Sequence, residues 1–328
     1  MKAAVIESAG AAPRYSDFRE PELEDGRVLV SLVAAGIHPI VRAMAAGTHY
    51  GSHGAFPSIP GVDAVARTSD GILVYTGYPE PPYGTLAERL AVPSAMGFGL
   101  PADADPVQVA AGMNPGLSSW MPLVARKAEL AGASGAGALG TVLVLGASGT
   151  AGILAVQNAL ALGATRVIGT GRDAARLRLA GERGAETVAF TGDRETDAAA
   201  LRSALRTGNP STVLDFVWGE PAEAAFDALS RSGLDDDDGD TSYIEIGQAA
   251  GAEASLPAAL LRSARIRISG SGAGSGSIAE IMRQLPAYLH LIAAGMVQVP
   301  VSTFPLSRID EAWAEASASG TRAVVVPG

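Results

Sequence analysis

The stretch Val142-Leu143-Val144-Leu145-Gly146-Ala147-Ser148-Gly149-Thr150-Ala151-Gly152 decides how the rest of the chain is read. Four apolar residues in a row describe a strand covered on both faces, as in a parallel sheet. The glycines at 146, 149 and 152 then let the backbone turn sharply, approach a pyrophosphate and pack a following helix closely on the sheet. That helix, expected over residues 151–162, would offer free N–H groups and a positive dipole end to the phosphates. Gly146, Ala147, Ser148, Gly149, Thr150, Ala151 and Gly152 are therefore the expected seat of a dinucleotide. The alternative is an ordinary strand-to-helix turn, because 40 glycines make chance spacings easy. The strand before the loop and the helix after it favour the cofactor.

Outward from this loop, strands and helices alternate. Short apolar runs at 166–169, 187–190, 213–216, 243–246 and 266–268 read as strands, the last as an edge, with a helix over 174–183. Strands separated by helical segments give a parallel, doubly wound Rossmann sheet. The end of its second strand, Val167-Ile168-Gly169-Thr170-Gly171-Arg172, tells which dinucleotide it suits. An acidic residue there would hold a ribose 2′-hydroxyl. Here Thr170 and Gly171 are small and Arg172 is a planar cation suited to a 2′-phosphate, with Arg176 one helical turn further on. NADPH is the cofactor this pattern selects. The competing reading is a solvated arginine pair at a helix start, partnered by Asp173.

Composition narrows the function. At 328 residues the chain exceeds the roughly 250–300 at which one core stops growing, so two domains are expected. A net charge of −10 speaks against nucleic acid and against an anionic membrane surface. Cysteine is absent, which rules out disulfides and thiolate zinc sites. Glu7 interrupts the opening apolar residues too early for a signal peptide, and no apolar run reaches the length of a membrane span. A cytoplasmic protein is the expectation.

The first hundred residues read as turn-rich β structure. Residues 28–33, 62–66 and 72–75 are apolar and rich in β-branched side chains, and Gly36, Pro57, Pro60 and Gly61 punctuate them. After Pro101, a helix capped by Asp103 or Asp105 should run toward Ala111, and a second should cover 120–130. Residues 131–138 look like a flexible loop leading into the glycine-loop domain. The tail, 279–328, resumes a mixed pattern.

The order of these pieces resembles the medium-chain dehydrogenase/reductase superfamily, and most closely its zinc-free quinone oxidoreductase branch. The matching segments are Val28-Leu29-Val30 to Ala35-Gly36-Ile37-His38-Pro39, Gly47-Thr48-His49-Tyr50, Pro60-Gly61-Val62-Asp63, Gly84-Thr85-Leu86-Ala87-Glu88, Gly116-Leu117-Ser118-Ser119, the 146–152 loop and Ile246-Gly247. The resemblance implies a GroES-like β-rich catalytic domain from residues 1–115 and 272–328 around a Rossmann domain of residues 116–271. It also implies Gly247 at the cofactor and a homodimer joined through the edge strands of the cofactor domains. The zinc enzymes of the superfamily use cysteine and a Gly-His-Glu motif. Here His38 falls near the first cysteine position, and Pro60-Gly61-Val62-Asp63 stands where Gly-His-Glu would be. Quinone oxidoreductases usually carry Asn where this chain has His38, and Asn114-Pro115-Gly116-Leu117-Ser118 departs from their usual Gly-Leu-Thr-Ala.

The implied activity is NADPH-dependent hydride transfer to a quinone or an α,β-unsaturated carbonyl, without zinc. A zinc-independent alcohol or ketone oxidoreductase is the enzymatic alternative, and a low-turnover NADPH-binding protein the non-enzymatic one. Tyr50 corresponds to a residue lining the substrate cleft, with His38 as the neighbouring proton donor and Ser118 on the nicotinamide side. Against each stands a bland reading: Tyr50 as packing, His38 as a core histidine bonded to a carbonyl, Ser118 as a helix cap. His49 and His53 read as surface residues. Asp235-Asp236-Asp237-Asp238-Gly239-Asp240 lacks calcium-loop spacing and reads as a solvated loop. Gly270-Ser271-Gly272-Ala273-Gly274-Ser275-Gly276 reads as a flexible return.

Overall fold

The computed structural model describes residues 1–134, 137–231, 239–272, 274–318 and 321–328. They form two compact units: Met1–Pro115 with Pro286–Gly328, and Gly116–Leu285.

The Gly116–Leu285 unit carries a six-stranded, all-parallel sheet. In spatial order its strands are Glu186–Ala189, Arg166–Gly171, Thr141–Leu145, Thr212–Asp215, Thr241–Glu245 and Ile266–Gly270. The strand order reverses at Thr141–Leu145, as in a doubly wound dinucleotide fold. The apolar run 142–145 is continuous because both faces are covered. Val142 and Val144 enter one core with Leu214 and Ile244, while Leu143 and Leu145 enter the other with Val213, Phe226 and Tyr243. Register places Thr170, Leu145, Asp215 and Glu245 in one row at the carboxyl end of the sheet. Ile266–Gly270 is an edge strand, as its short apolar alternation suggests.

The other unit is the β-rich, GroES-like one. Its seven-stranded sheet is centred on Arg27–Gly36, which pairs with Asp63–Arg67, Arg89–Pro93 and Arg322–Val326, and a separate pair joins Lys2–Val5 to Arg14–Asp17. One apolar core under this sheet takes residues from both chain ends, among them Leu32, Leu90, Ile309 and Val325.

Two sequence expectations are corrected here. Instead of one helix ending toward Ala111 and a second over 120–130, one helix runs over Pro106–Ser134 and takes in the first half of the supposed 131–138 loop. Residues 135–136 of that loop lie outside the described residues. The helix survives Pro115 because its burial overrides local propensity: Val109, Ala110, Met113 and Leu123 are wholly buried. A short helix, Pro39–Ala45, also follows His38 within the stretch that read as turn-rich β structure, with Pro39 in its first turn. Among the described residues no helix is long and apolar enough to cross a membrane.

Candidate functional site: a dinucleotide cradle and a buried His–Asp–Tyr cluster

In the Rossmann unit the glycine loop is pinned to the neighbouring strand. The amides of Gly146 and Ala147 donate to the Thr170 carbonyl at 3.2 and 2.7 Å, and the Gly149 amide donates to the Gly146 carbonyl at 3.0 Å. The three glycines have different reasons to be glycine. Gly146 has φ +89°, and Gly152 has no room for a side chain, because a Cβ would lie 2.2 Å from the Gly146 carbonyl oxygen. At Gly149 the backbone is extended (φ −89°, ψ 161°), and a Cβ would meet protein only at an ordinary 3.5 Å. Neither strain nor internal packing therefore requires glycine at 149. The open backbone would leave room for a pyrophosphate. Gly149 is also the N-cap of helix Thr150–Ala161 and brings no side chain to its first amides, which a phosphate can take up. The residues present fit the dinucleotide.

Gly171 closes the strand beside the loop, where a Cβ would lie 2.7 Å from Ser148 Oγ. Next to it Arg172 is exposed and has no ion pair or hydrogen bond among the described residues. Arg176 lies in the first turn of helix Ala174–Glu182, with Nε 3.4 Å from Asp173 Oδ2. Asp173 is the helix N-cap and accepts from the Arg176 amide at 3.1 Å. Arg176 is thus already engaged by the residue that caps its helix, and Arg172 is not.

On the other side of the loop stands a group that sequence reasoning did not single out. Asp215, wholly buried, accepts from the amides of Val217 and Trp218 at 2.8 and 2.9 Å and from the Tyr243 hydroxyl at 2.5 Å. Burial pushes its carboxyl above the usual range, and these three donors oppose that shift. The turn it holds reaches the glycine loop, since a Cβ on Gly146 would lie 2.8 Å from Val217 Cγ1. Gly247 backs the same turn, its amide 3.2 Å from the Asp215 carbonyl. An acidic residue ending an apolar strand was the available signal.

In the β-rich unit, His38 precedes helix Pro39–Ala45 with extended backbone and makes no capping bond, as a residue before proline does. Its ring turns into the interior over Gly36, whose Cβ would lie 2.6 Å from His38 Cε1. There Nε2 lies 3.3 Å from Asp63 Oδ1, but off the hydrogen-bond direction, so both ring nitrogens and Oδ1 lack hydrogen-bond partners among the described residues. The expected bond to a backbone carbonyl is not among its contacts. Tyr75 donates its hydroxyl to Asp63 Oδ2 at 2.9 Å, and Arg322 donates to the Ile37 carbonyl at 2.8 Å. His38, Asp63, Tyr75 and Arg322 are all at most 7% exposed. Burial lowers the His38 pKa, which Asp63 opposes and Arg322 reinforces, and it also pulls Arg322 down to about 10. His38 is therefore a neutral imidazole near pH 7. It can offer a hydrogen bond but not an acidic proton.

The remaining candidates are scattered. Tyr50 is 76% exposed and stacks on His49, with ring centroids 4.0 Å apart. His49 and His53 accept the amides of Gly51 and Ala55 through Nδ1, which organises their own loop. Ser118 lies half-buried within helix Pro106–Ser134, so it is not a helix cap. Residues 235–238 and Ala273 lie outside the described residues, and Asp240 is paired with Arg126 at 3.0 Å. No group of three metal-ligating side chains stands together among the described residues.

No family model matches the chain. Over its full length, and over the full length of the relative, it is 28% identical to a curated protein of Emericella nidulans named "Probable NADPH-dependent quinone reductase tdiC". Among solved structures it is similar to an alcohol dehydrogenase superfamily protein from Novosphingobium aromaticivorans, at 22% identity and TM-score 0.78 over all of both chains. It is also similar to the quinone oxidoreductase of Thermus thermophilus, solved alone and with NADPH, at 24% identity and TM-score 0.74 over 99% of this chain and all of that one. The chain shares the fold of these structures. The glycine loop and the histidine-containing cluster thus sit on the scaffold that their order in the sequence implied.

Proposed function

We propose that the chain is an NADPH-dependent oxidoreductase that reduces quinones, and α,β-unsaturated carbonyls of similar shape, without zinc. The observation that carries this reading is Gly149, a glycine that neither strain nor packing requires and that leaves the first amides of the helix open, with the unpaired Arg172 at the end of the adjacent strand. The full-length likeness to a protein named as an NADPH-dependent quinone reductase supports it. Bound NADPH would supply the hydride from its C4.

The chain's own residues do the rest. The amides at the start of helix Thr150–Ala161 hold the pyrophosphate. Arg172 reaches the 2′-phosphate, with Arg176 behind it. With the adenosine beside Arg172, the nicotinamide half falls toward strands Thr212–Asp215 and Thr241–Glu245, on the turn that Asp215 and Gly247 fix. Ser118 is assigned to the nicotinamide side and Tyr50 to the substrate cleft. His38 holds a hydrogen bond toward the acceptor, and water supplies the proton, because a neutral imidazole does not. Cysteine-free composition leaves no thiolate for a catalytic zinc, and without a Lewis acid reduction of a conjugated carbonyl is easier than oxidation of an alcohol. A homodimer in the cytoplasm completes the reading.

A panel of quinones, enones, aldehydes and alcohols, followed through NADPH absorbance, tests it. Turnover should be confined to quinones and enones and should persist in chelator. Turnover of simple alcohols alone, or one tightly bound zinc per chain, would overturn the assignment. An NADPH-binding chain inert toward the whole panel would make it a binding protein.

A further inference from the structure

Trp218 stands in a conformation that suits glycine. Its φ is +52° and its ψ −160°, a region that a residue with a Cβ enters only under strain. The structure around it holds the turn there. Asp215, wholly buried at the end of strand Thr212–Asp215, accepts the Val217 and Trp218 amides on Oδ1 at 2.8 and 2.9 Å. Its Oδ2 accepts the Tyr243 hydroxyl at 2.5 Å, and the Tyr243 ring meets the Trp218 indole edge-on with centroids 6.4 Å apart. The Ala250 amide also donates to the Val217 carbonyl at 2.7 Å.

This strained turn is one wall of the glycine loop. A Cβ on Gly146 would lie 2.8 Å from Val217 Cγ1 and 3.5 Å from Phe216 Cβ, so both side chains pack directly on the loop's first glycine. Strand Thr141–Leu145, which feeds the loop, lies between the strand of Asp215 and the strand of Thr170. On the Thr170 side the loop is fixed by the Gly146 and Ala147 amides, which donate to the Thr170 carbonyl. On the Asp215 side it is fixed by the packing of the turn. Val217 cannot keep its place if Trp218 relaxes, because the two share a peptide and their amides rest on one carboxylate oxygen.

We propose that Asp215 is a positioning residue for the dinucleotide: its carboxylate holds Trp218 in the strained conformation and so keeps Val217 against the glycine loop, in the shape that takes the pyrophosphate. Without the carboxylate the turn relaxes. Dinucleotide binding then has to restore the strained shape, which lowers the apparent affinity. The penalty falls equally on NADPH and NADH, because both carry the pyrophosphate. A glycine at position 218 removes it, since glycine takes a positive φ without strain. The inference rests on the dinucleotide reading above and goes beyond it by naming what shapes the cradle.

The test is fluorescence titration of the full chain with NADPH and NADH, for wild type, Asp215→Ala, Asp215→Asn, Trp218→Gly and the double variant of Asp215→Ala and Trp218→Gly. Asp215→Ala should weaken both cofactors about tenfold, which is the strain of one such residue expressed as affinity. Asp215→Asn keeps an oxygen for the two amides and should recover most of that loss. In the Trp218→Gly background, Asp215→Ala should cost less than about threefold. Hydrogen exchange at the Val217 and Trp218 amides of the cofactor-free chain should quicken in Asp215→Ala and stay slow in Asp215→Asn. Should Asp215→Ala not fold, Asp215→Ser takes its place, since it keeps a polar group in the buried site but is too short to reach both amides. A loss from Asp215→Ala as large with Trp218→Gly as without it would make the carboxylate a general support of the fold and overturn the proposal. Unchanged NADPH affinity in Asp215→Ala would overturn it as well, with the cofactor reading left standing. A wild type that binds neither dinucleotide would overturn both.

Discussion

His38 Nε2 stands 3.3 Å from Asp63 Oδ1 with both side chains screened from water, and burial outweighs the carboxylate in setting the imidazole's charge. The folded chain resists a proton on His38 that the unfolded chain accepts below about pH 6.5. Wherever the unfolded state binds more protons, stability rises with pH. The His38 contribution is therefore intact above about pH 6.5 and is lost as the pH falls below it, by up to about 1.4 kcal/mol per pH unit. The thermal midpoint of His38→Gln should fall less between about pH 7 and pH 5.5 than that of wild type. Parallel midpoint curves for the two proteins would show that His38 is not the group responsible.

The two glycines at the start of helix Thr150–Ala161 should separate stability from binding. A Cβ on Gly152 meets the Gly146 carbonyl oxygen at 2.2 Å, and neither element can yield cheaply. Gly152→Ala should cost about 1–3 kcal/mol, or roughly 2–4 °C of midpoint per kcal/mol. Gly149→Ala meets only ordinary contact and should cost no more than about 1 kcal/mol, the difference between glycine and alanine at a helix N-cap, yet weaken NADPH binding if its methyl group stands where the pyrophosphate comes. Calorimetric midpoints and fluorescence titration of the cofactor check both. Undiminished affinity in Gly149→Ala would show that the loop is a structural turn.

What the sequence made legible follows from how local each constraint is. The 146–152 loop was readable because turn, approach and packing act within seven residues. The doubly wound sheet followed from the alternation of strands around it. The His38–Asp63 contact depends on strand pairing and on the missing Cβ of Gly36, which no spacing records. Asp215 shows its use only once the Tyr243 strand lies beside it. Trp218 runs against its own residue preference, so propensity points away from the conformation it takes. The helix Pro106–Ser134 was misread because proline and glycine outweigh burial in any local view.

The edge strand Ile266–Gly270 should pair with its copy across a two-fold axis. It leaves one row of backbone groups unpaired, and Ile266 and Ile268 are only half-buried within the chain. Its exposed Arg267 pairs with Glu129 at 3.1 Å. Sedimentation at micromolar concentration should give twice the chain mass. A monomer there would exclude this pairing.

Arg172 gives the most discriminating test, because it is exposed and unpaired among the described residues while Arg176 already has Asp173. In the proposed binding mode NADPH would bring a 2′-phosphate dianion to this strand end, and NADH a hydroxyl. A charge-assisted hydrogen bond to phosphate contributes about 1.5–3 kcal/mol, and about 1.4 kcal/mol is tenfold in affinity. Arg172→Ala should therefore weaken NADPH binding by about one to two orders of magnitude and leave NADH nearly unchanged. Arg176→Ala should cost NADPH less, because that side chain must first leave Asp173 to reach the phosphate. Both losses should shrink at high salt, since exposed charges are screened. Fluorescence titration of wild type and variants with each cofactor measures all of this. Equal weakening of NADPH and NADH by Arg172→Ala would place Arg172 at the pyrophosphate or in the fold, and a wild type that prefers NADH would overturn the assignment of NADPH.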